Sequence, residues 1–326
     1  MRRVHALIGV IVLAVAACGQ AARTPTAAPP PAPAASTALI RTSAGVGGVV
    51  EGAGAIAWSV DHGVAALDGS AVFSTGGAGL LTRNNPHTGE TIDSWPIEAE
   101  MMPVLVVPGG DHVVLSDRPS DYDSFAAPRA STHLQVRSGT TGAVVHDLQI
   151  TADLEPEAMS LDGQQLFVLD HRGDHYRVQG LDLATGEHHD LIDRDKNPAE
   201  DMRGRAVQGV LSKDRSMLST LYINPDNAAE PAFVHVLNLN GWTYCIDLSD
   251  EFAQGPARSQ SIERTDGDHI VVRAPAINQA ARFDLAEMMT GDGTPLVQVD
   301  PTAGTPADAP YRAIPDFEAL ITILRT

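Results

Sequence analysis

Residues 154–192 read LEPEAMS, the corner Leu161-Asp162-Gly163, QQLFVLD, the turn HRGD followed by His175, YRVQGLD, the turn LATGE and then HHDLI. These are four short runs rich in apolar residues, joined by three tight turns. Glycine at such a corner takes the positive φ that a tight hairpin needs, and the aspartate before it hydrogen-bonds its own backbone. In the last turn Asp182 and Thr185 can cap backbone N–H groups, while Gly186 fits the left-handed position of a bulged hairpin. The same grammar returns along the chain, and that repetition restricts the fold more than any single motif does.

The first corners of the copies fall at positions 68, 110, 162, 213, 266 and 316, spaced by 42, 52, 51, 53 and 50 residues. Copies of ~40–50 residues with four strands each are the blades of a β-propeller, so the chain is expected to be all-β. Blade 1 carries VAALDG, AVFSTG and the turn Pro86-His87-Thr88-Gly89-Glu90. Blade 2 carries VLVVPGGDHVVLSD and a last turn from Gly139 to Gly142, and blade 3 is the stretch quoted above. Blade 4 has corners at Lys213-Asp214 and Asn240-Gly241, and blade 5 at Asp266-Gly267. The sixth begins at Tyr311 with YRAIPDFEALITIL, enough for two strands, and two strand-like runs at 38–41 and 55–60 are left over before blade 1. Six blades, the last closed by strands from both termini, fit this count best, since an open ring would expose unpaired edges. Seven blades would need one more within 37–60 and the loops. Gly45-Val46-Gly47-Gly48 lacks the third glycine of a dinucleotide fingerprint, no βαβ pattern follows it, and it reads as a loop.

Ahead of the repeats stands MRRVHALIGVIVLAVAAC, two arginines and an apolar core too short for the ~20 residues of a bilayer-spanning helix. It reads as a signal peptide over 1–17. Residues 18–36 are mostly alanine and proline, cannot bury enough surface to offset their ordering entropy, and read as an extended tether to a domain over 37–326. The formal net charge of −19 repels phosphate backbones, so no nucleic-acid partner is expected.

Two resemblances follow from these residues. The ending Val15-Ala16-Ala17-Cys18 resembles the lipobox of bacterial lipoproteins. It implies cleavage before Cys18, lipidation of the Cys18 sulfur, and a membrane partnership through the anchor on the extracytoplasmic face of the cell membrane. An ordinary secretory peptide is the alternative. The strand pairs, Asp-Gly corners and Asp-x-x-Thr-Gly turns over 37–326 resemble the YVTN and WD40-like propellers of secreted and lipid-anchored bacterial proteins, although the Trp-Asp signature of strict WD40 repeats is missing. That resemblance implies the fold, which hosts ligand binders, scaffolds and enzymes alike.

Catalytic signatures are absent from the sequence: there is no Gly-x-Ser-x-Gly, His-Glu-x-x-His, Cys-x-x-Cys or P-loop. Asp170, His171, Asp174 and His175 crowd one turn and could hold a divalent metal, but turn side chains diverge. Asp193, Asp195 and Asn197 resemble the start of a calcium loop, yet Pro198 and Gly204 stand where a glycine and a bidentate glutamate are needed. No metal or cofactor is therefore expected. Cys245 reads as a packed small hydrophobe, and Trp58, Trp95 and Trp242 as packing between blades. The longer loops gather on one face: 117–131 in blade 2, 193–205 into blade 4 and 224–231 within it. There Tyr122, Phe125 and Arg129, with Arg203 and Arg205, are the candidate contacts for a protein or acidic ligand. The chain is expected to be a binding or scaffold module, with a propeller enzyme, quinoprotein-like oxidoreductase or lactonase-like hydrolase, as the alternative.

Overall fold

A run such as Leu166-Phe167-Val168-Leu169, apolar at every position, does not suit a sheet with one wet face, because successive side chains point to opposite sides. In the computed structural model it is buried on both. Leu166 and Val168 pack with Val114, Leu134 and Val136 of blade 2, while Phe167 and Leu169 pack with Leu218, Tyr222 and Leu237 of blade 4. The same division recurs in the second strand of blade 4, where Leu221 and Ile223 face blade 5 and Leu218 and Tyr222 face blade 3. The core is thus distributed between neighbouring blades.

The structure describes residues 37–42, 44–50, 55–76, 79–117, 129–173, 175–195, 201–224, 232–253, 260–265, 268–285, 298–300 and 319–324. They form six sheets, as expected for six blades, with antiparallel pairing among the four strands of each blade. Blade 1 comprises Val64–Ala65, Val72–Thr75, Leu80–Asn84 and Thr91–Pro96, and blade 2 Met102–Val106, His112–Ser116, Thr132–Ser138 and Val144–Ile150. Blade 3 comprises Leu154–Met159, Gln165–His171, Tyr176–Asp182 and His188–Asp190. Blade 4 comprises Arg205–Leu211, Met217–Ile223, Phe233–Asn238 and Trp242–Asp247, and blade 5 Ser261–Thr265, His269–Ala274, Gln279–Asp284 and Gln298–Asp300. Ile192–Asp193, the exit from blade 3, adds in parallel to the outer strand of blade 4, and the Arg194 guanidinium lies 4.1 Å over the Trp242 ring. That covers an edge which would otherwise be open.

Both termini close the ring, but not as two strands and two. The sixth sheet runs Ala319–Leu324, Thr37–Arg41, Gly45–Val50, Ile56–Asp61: one C-terminal strand, innermost, and three N-terminal ones. The strand missing from the sequence reading is Gly45–Val50, expected as a loop. Its glycines are there because the neighbouring strand carries a tryptophan. A Cβ on Gly48 would overlap the Trp58 indole, so the ring occupies the volume side chains would have filled.

Trp58 also begins a pattern. Its Nε1 donates to the His87 carbonyl (2.8 Å), and its ring covers Gly89, in the last turn of blade 1. Trp95, on the outer strand of blade 1, covers Gly142 in the last turn of blade 2, and Leu148 of blade 2 approaches Gly186 of blade 3. The expectation of inter-blade packing therefore holds for Trp58 and Trp95, and Trp242 packs in the core shared by blades 4 and 5. The three turns are built alike: Gly89, Gly142 and Gly186 donate to the carbonyls of Asn85, Ser138 and Asp182, whose side chains accept two further backbone N–H groups each.

Gly142 has φ +67°, and a Cβ there would fall inside the Trp95 indole, whereas Gly163 has φ +71° and nothing within 4 Å of its Cβ position. Gly163→Ala should therefore cost about 1–2 kcal/mol, backbone strain alone. Gly142→Ala should cost roughly 2–5 kcal/mol, strain plus displacement of the ring. Urea unfolding of both variants separates the two terms; equal losses would show that the Trp95 contact contributes nothing.

Candidate functional site

The first strand of each blade faces the ring axis, and in blades 2, 3 and 4 it holds one residue more than its partner strand. The extra residues are Val104, Glu157 and Val207. A bulge breaks the alternation of a strand and re-aims a side chain. Pro103 and Pro156 precede two of these positions, where a strand tolerates a missing N–H. All three extra residues line a cavity of about 150 Å³ whose walls are otherwise mainly apolar, among them Val64, Leu105 and Leu218. Arg41, which ends its strand, and Glu155, near the start of its own, lie toward the face where the first strands begin. Leu67, in the first corner of blade 1, lies at the opposite end and packs with the core shared by blades 3 and 4.

Glu157 is the polar exception among the three equivalent positions, and its environment is unusual. Its side chain is 9% exposed. Oε1 accepts from the Tyr222 hydroxyl (3.0 Å) and from Thr220 Oγ1 (3.4 Å), while Oε2 has no hydrogen-bond partner among the described residues. Burial pushes the carboxyl up to about 7, against the Tyr222 and Thr220 hydrogen bonds and with help from the Glu155 charge. Glu155 itself is held by His171, Nε2 to Oε2, at 2.9 Å. His235 Nδ1 stands 4.0 Å from Glu157 Oε1, too far for a hydrogen bond, and is likewise buried without a partner among the described residues. Burial lowers that imidazole to about 4, so it is neutral across the physiological range. The Tyr222 ring stacks on Phe233, 5.2 Å apart and 6° from parallel, and Tyr176 meets Tyr222 at 5.9 Å with the rings tilted by 40°. This arrangement buries a carboxyl group, its Oε2 shielded from solvent, in the lining of a mainly apolar hole.

Sequence reasoning missed this site, although it read the Leu154–Met159 strand correctly. The signal was the comparison of equivalent positions, Pro103-Val104 against Pro156-Glu157: a carboxylate where the repeat places valine.

The structure places the other candidates as follows. Arg129 makes a two-pronged ion pair with Asp117 (3.0 and 2.7 Å), and its backbone N–H donates to Asp153. Arg205 opens the first strand of blade 4, and the carbonyls of Arg203 and Gly204 receive the Tyr176 hydroxyl at 3.5 and 3.2 Å. Asp201 is engaged by Arg177 (2.8 Å) and His175 (3.5 Å). Tyr122, Phe125, Cys18 with its leader and tether, the corner at Asp266-Gly267, Asp316 and the blade start at Tyr311 lie outside the described residues. So do Asp174 and Asn197, which leaves those two groupings incomplete; Asp170 pairs with Arg172 (2.7 Å), and His171 turns to Glu155. Asp195 donates its backbone N–H to Asp193 Oδ1 (3.0 Å). Cys245 lies on the outer strand of blade 4 opposite His235. A grouping that the sequence did not suggest joins three segments: Glu98, His133 and Asp147, with ligand atoms within 4.8 Å of one another. There His133 Nε2 meets Asp147 Oδ1 at 2.6 Å, and Gln135 donates to both carboxylates at 3.3 Å.

No family model matches the chain, and no curated protein matches it. Among solved structures it is similar to a functionally unknown protein from Desulfotomaculum acetoxidans, at 12% identity over 83% of each chain with a TM-score of 0.48. It is similar to TolB from Acinetobacter baumannii at 13% identity, covering 76% of this chain and 60% of that one, with a TM-score of 0.41. A putative 6-phosphogluconolactonase from Bacteroides fragilis gives 13% identity, 84% of each chain and a TM-score of 0.44. This chain therefore spans about 60% of the TolB it resembles. The fold is a six-bladed, nearly all-β propeller with WD40- and TolB-like neighbours.

Glu157 and His235 pull stability in opposite directions with pH. A carboxyl raised from 4.5 to about 7 stabilises the fold fully below pH 4.5, and that contribution falls as pH rises and is gone above about 7. An imidazole lowered from 6.5 to about 4 does the reverse, losing its contribution as pH falls through that window. Each slope approaches ~1.4 kcal/mol per pH unit, so over most of the window they nearly cancel. Glu157→Gln should remove the carboxyl slope alone. The stability of the variant relative to the native protein should then rise between pH 4.5 and 7, read from urea midpoints at several pH values. A difference that stays flat with pH would mean that Glu157 titrates normally.

Proposed function

We propose that this protein is a lipid-anchored binding module on the extracytoplasmic face of the cell membrane, receiving its ligand in the channel cavity of the propeller. The observation that carries this reading is the cavity itself: a mainly apolar hole on the first strands of four blades, with the Glu155 and Glu157 side chains in its lining. Pockets that hold small ligands are concave and mostly apolar, with a few placed polar groups that fix orientation. The leader over 1–17, the lipobox-like Val15-Ala16-Ala17-Cys18 and the tether over 18–36 support the address, because two or three acyl chains hold a protein on a membrane where one holds it only marginally. Tyr122, Phe125, Arg129, Arg203 and Arg205 are the residues proposed to meet a protein or acidic partner on the long-loop face.

Cys18→Ser should move the protein from the membrane fraction to the soluble fraction with its thermal unfolding unchanged. A variant that stays with membranes in high salt defeats the anchor. The binding role is tested separately. Protein purified natively from its source should release a small molecule on denaturation, detected by mass spectrometry, and Val207→Phe, which fills the cavity, should release none while keeping its circular dichroism. Equal release from both proteins would place binding elsewhere.

A further inference from the structure

Away from the channel, where blade 1 passes the chain to blade 2, three side chains of metal-ligating type converge. Glu98 lies in the connection between the outer strand of blade 1 and the first strand of blade 2, His133 on the third strand of blade 2 and Asp147 on its outer strand. One oxygen of each carboxylate is taken by the same group: Gln135 Nε2 donates to Glu98 Oε1 and to Asp147 Oδ2, both at 3.3 Å. The other oxygen of each is turned to the imidazole, Asp147 Oδ1 at 2.6 Å from Nε2 and Glu98 Oε2 at 3.9 Å from Nδ1. Ligand atoms of the three lie within 4.8 Å of one another. Tetrahedral ligands at ~2.0–2.2 Å from an ion stand about 3.4 Å apart, so small side-chain rotations close the set. The side chains of Glu98, His133 and Asp147 are 57%, 19% and 53% exposed, so dissolved ions reach them.

The support beneath these groups sets them apart from chance acidity at a surface. Gln135 is 2% exposed, and its amide has one orientation: Oε1 accepts from Arg137 Nε (3.1 Å) and Nη2 (3.0 Å), which turns the nitrogen to the carboxylates. Outer partners of this kind hold metal ligands in place. Arg137 brings a positive charge that both carboxylates feel, but its Nη1 is given to the Pro96 and Gly142 carbonyls, and it acts on them from behind the amide. Among the described residues neither carboxylate forms an ion pair with lysine or arginine. Two carboxylates against one guanidinium leave a negative balance that a bound cation offsets.

Blade 3 uses the same frame differently. Gln179 stands opposite Asp190 as Gln135 stands opposite Asp147, and each amide donates to its aspartate. Two residues before that glutamine blade 3 has Arg177, whose Nη1 lies 3.5 Å from Asp190 Oδ2. A permanent cation closes that arrangement from within. Blade 2 has an imidazole at this position and adds a second carboxylate, so ligands replace the built-in charge. Imidazole suits zinc and its neighbours in the first transition row, whereas oxygen ligands alone suit magnesium or calcium. We propose that Glu98, His133 and Asp147 bind one zinc ion, with water completing its coordination, which ties the connection from blade 1 to the two outer strands of blade 2. This site is independent of the channel cavity.

Calorimetric titration of the untagged full chain, stripped with a chelator, should show one zinc ion bound and no competition from magnesium or calcium at equal concentration. Glu98→Gln, His133→Ala and Asp147→Asn should each weaken zinc at least about ten-fold while keeping the native circular dichroism. Zinc should also raise the unfolding temperature of the native chain, and raise it less in each variant, since an ion that binds only the folded protein stabilises it by mass action. Glu98 is the most exposed of the three, so Glu98→Gln carries the test if another variant fails to fold. Absence of zinc binding at millimolar concentration, zinc affinity unchanged in Glu98→Gln, or displacement of zinc by equimolar magnesium would each overturn the proposal.

Discussion

The second strands of blades 3 and 4 have no face of their own for solvent, and the rest of the molecule is arranged around such strands. Leu166 and Val168 need blade 2, and Phe167 and Leu169 need blade 4; neither pair is covered within its own sheet. A single blade therefore gains little by forming alone, and its stability is a property of its contacts with neighbours. The demand passes around the ring until it reaches the last sheet, which cannot leave a side open. That is why Thr37–Arg41 pairs with Ala319–Leu324: the strand pairing converts a row of blades into a closed set. The outer rim follows a different rule, in which Trp58 and Trp95 reach to the glycine of the next blade's last turn. Glycine is needed there twice over, for the backbone and for the ring lying on it.

Blades 1 to 5 were legible in the sequence because their corners are chemical. Aspartate before glycine, with a serine two residues ahead in Ser160-Leu161-Asp162, encodes its own hydrogen bonds: Ser160 Oγ to Asp162 Oδ1 at 2.6 Å, and Gln164 N to the same oxygen at 3.0 Å. Gly45–Val50 was not legible, since its partner in packing, Trp58, lies ten residues after Gly48 and nothing local says that an indole will lie on those glycines. Glu157 was illegible for another reason. In one strand it looks like a polar residue alternating with apolar ones, and only the extra residue opposite the gap between Phe167 and Val168 turns it toward the axis. Bulges are set by pairing across a sheet, which a linear reading does not see.

The buried carboxyl and the buried imidazole sit close enough for an ion pair in distance but not in chemistry. At 4.0 Å, with 9% and 2% side-chain exposure, a charged pair would have to repay the desolvation of both ions. Burial instead favours the neutral form of each, raising one group to about 7 and lowering the other to about 4. Between those values both can be neutral. A carboxyl in this condition responds to whatever enters the cavity, because little free energy separates its two states near neutral pH.

The first corners of the blades show a trade of backbone strain against an ion pair. At the first corners of blades 1 and 3 the left-handed position is Gly69 and Gly163, but in blade 4 it is Arg215, at φ +61°. A side chain there costs about 1–2 kcal/mol against glycine. What the arginine gains is reach: its NH2 meets Asp68 Oδ2 at 2.9 Å, joining the corner of blade 4 to that of blade 1. Asp68 is 12% exposed and is fixed by its own turn, its Oδ1 accepting from Ser70 N and its Oδ2 from Gly109 N of blade 2 at 2.8 Å. An ion pair anchored on one side by two hydrogen-bonded corners loses less side-chain entropy than an isolated surface pair, so it can offset the strain at Arg215. With Leu67 packed beside it into the core of blades 3 and 4, this brace spans the short-turn end of the channel. At the other face the cavity is lined by Arg41 and Glu155.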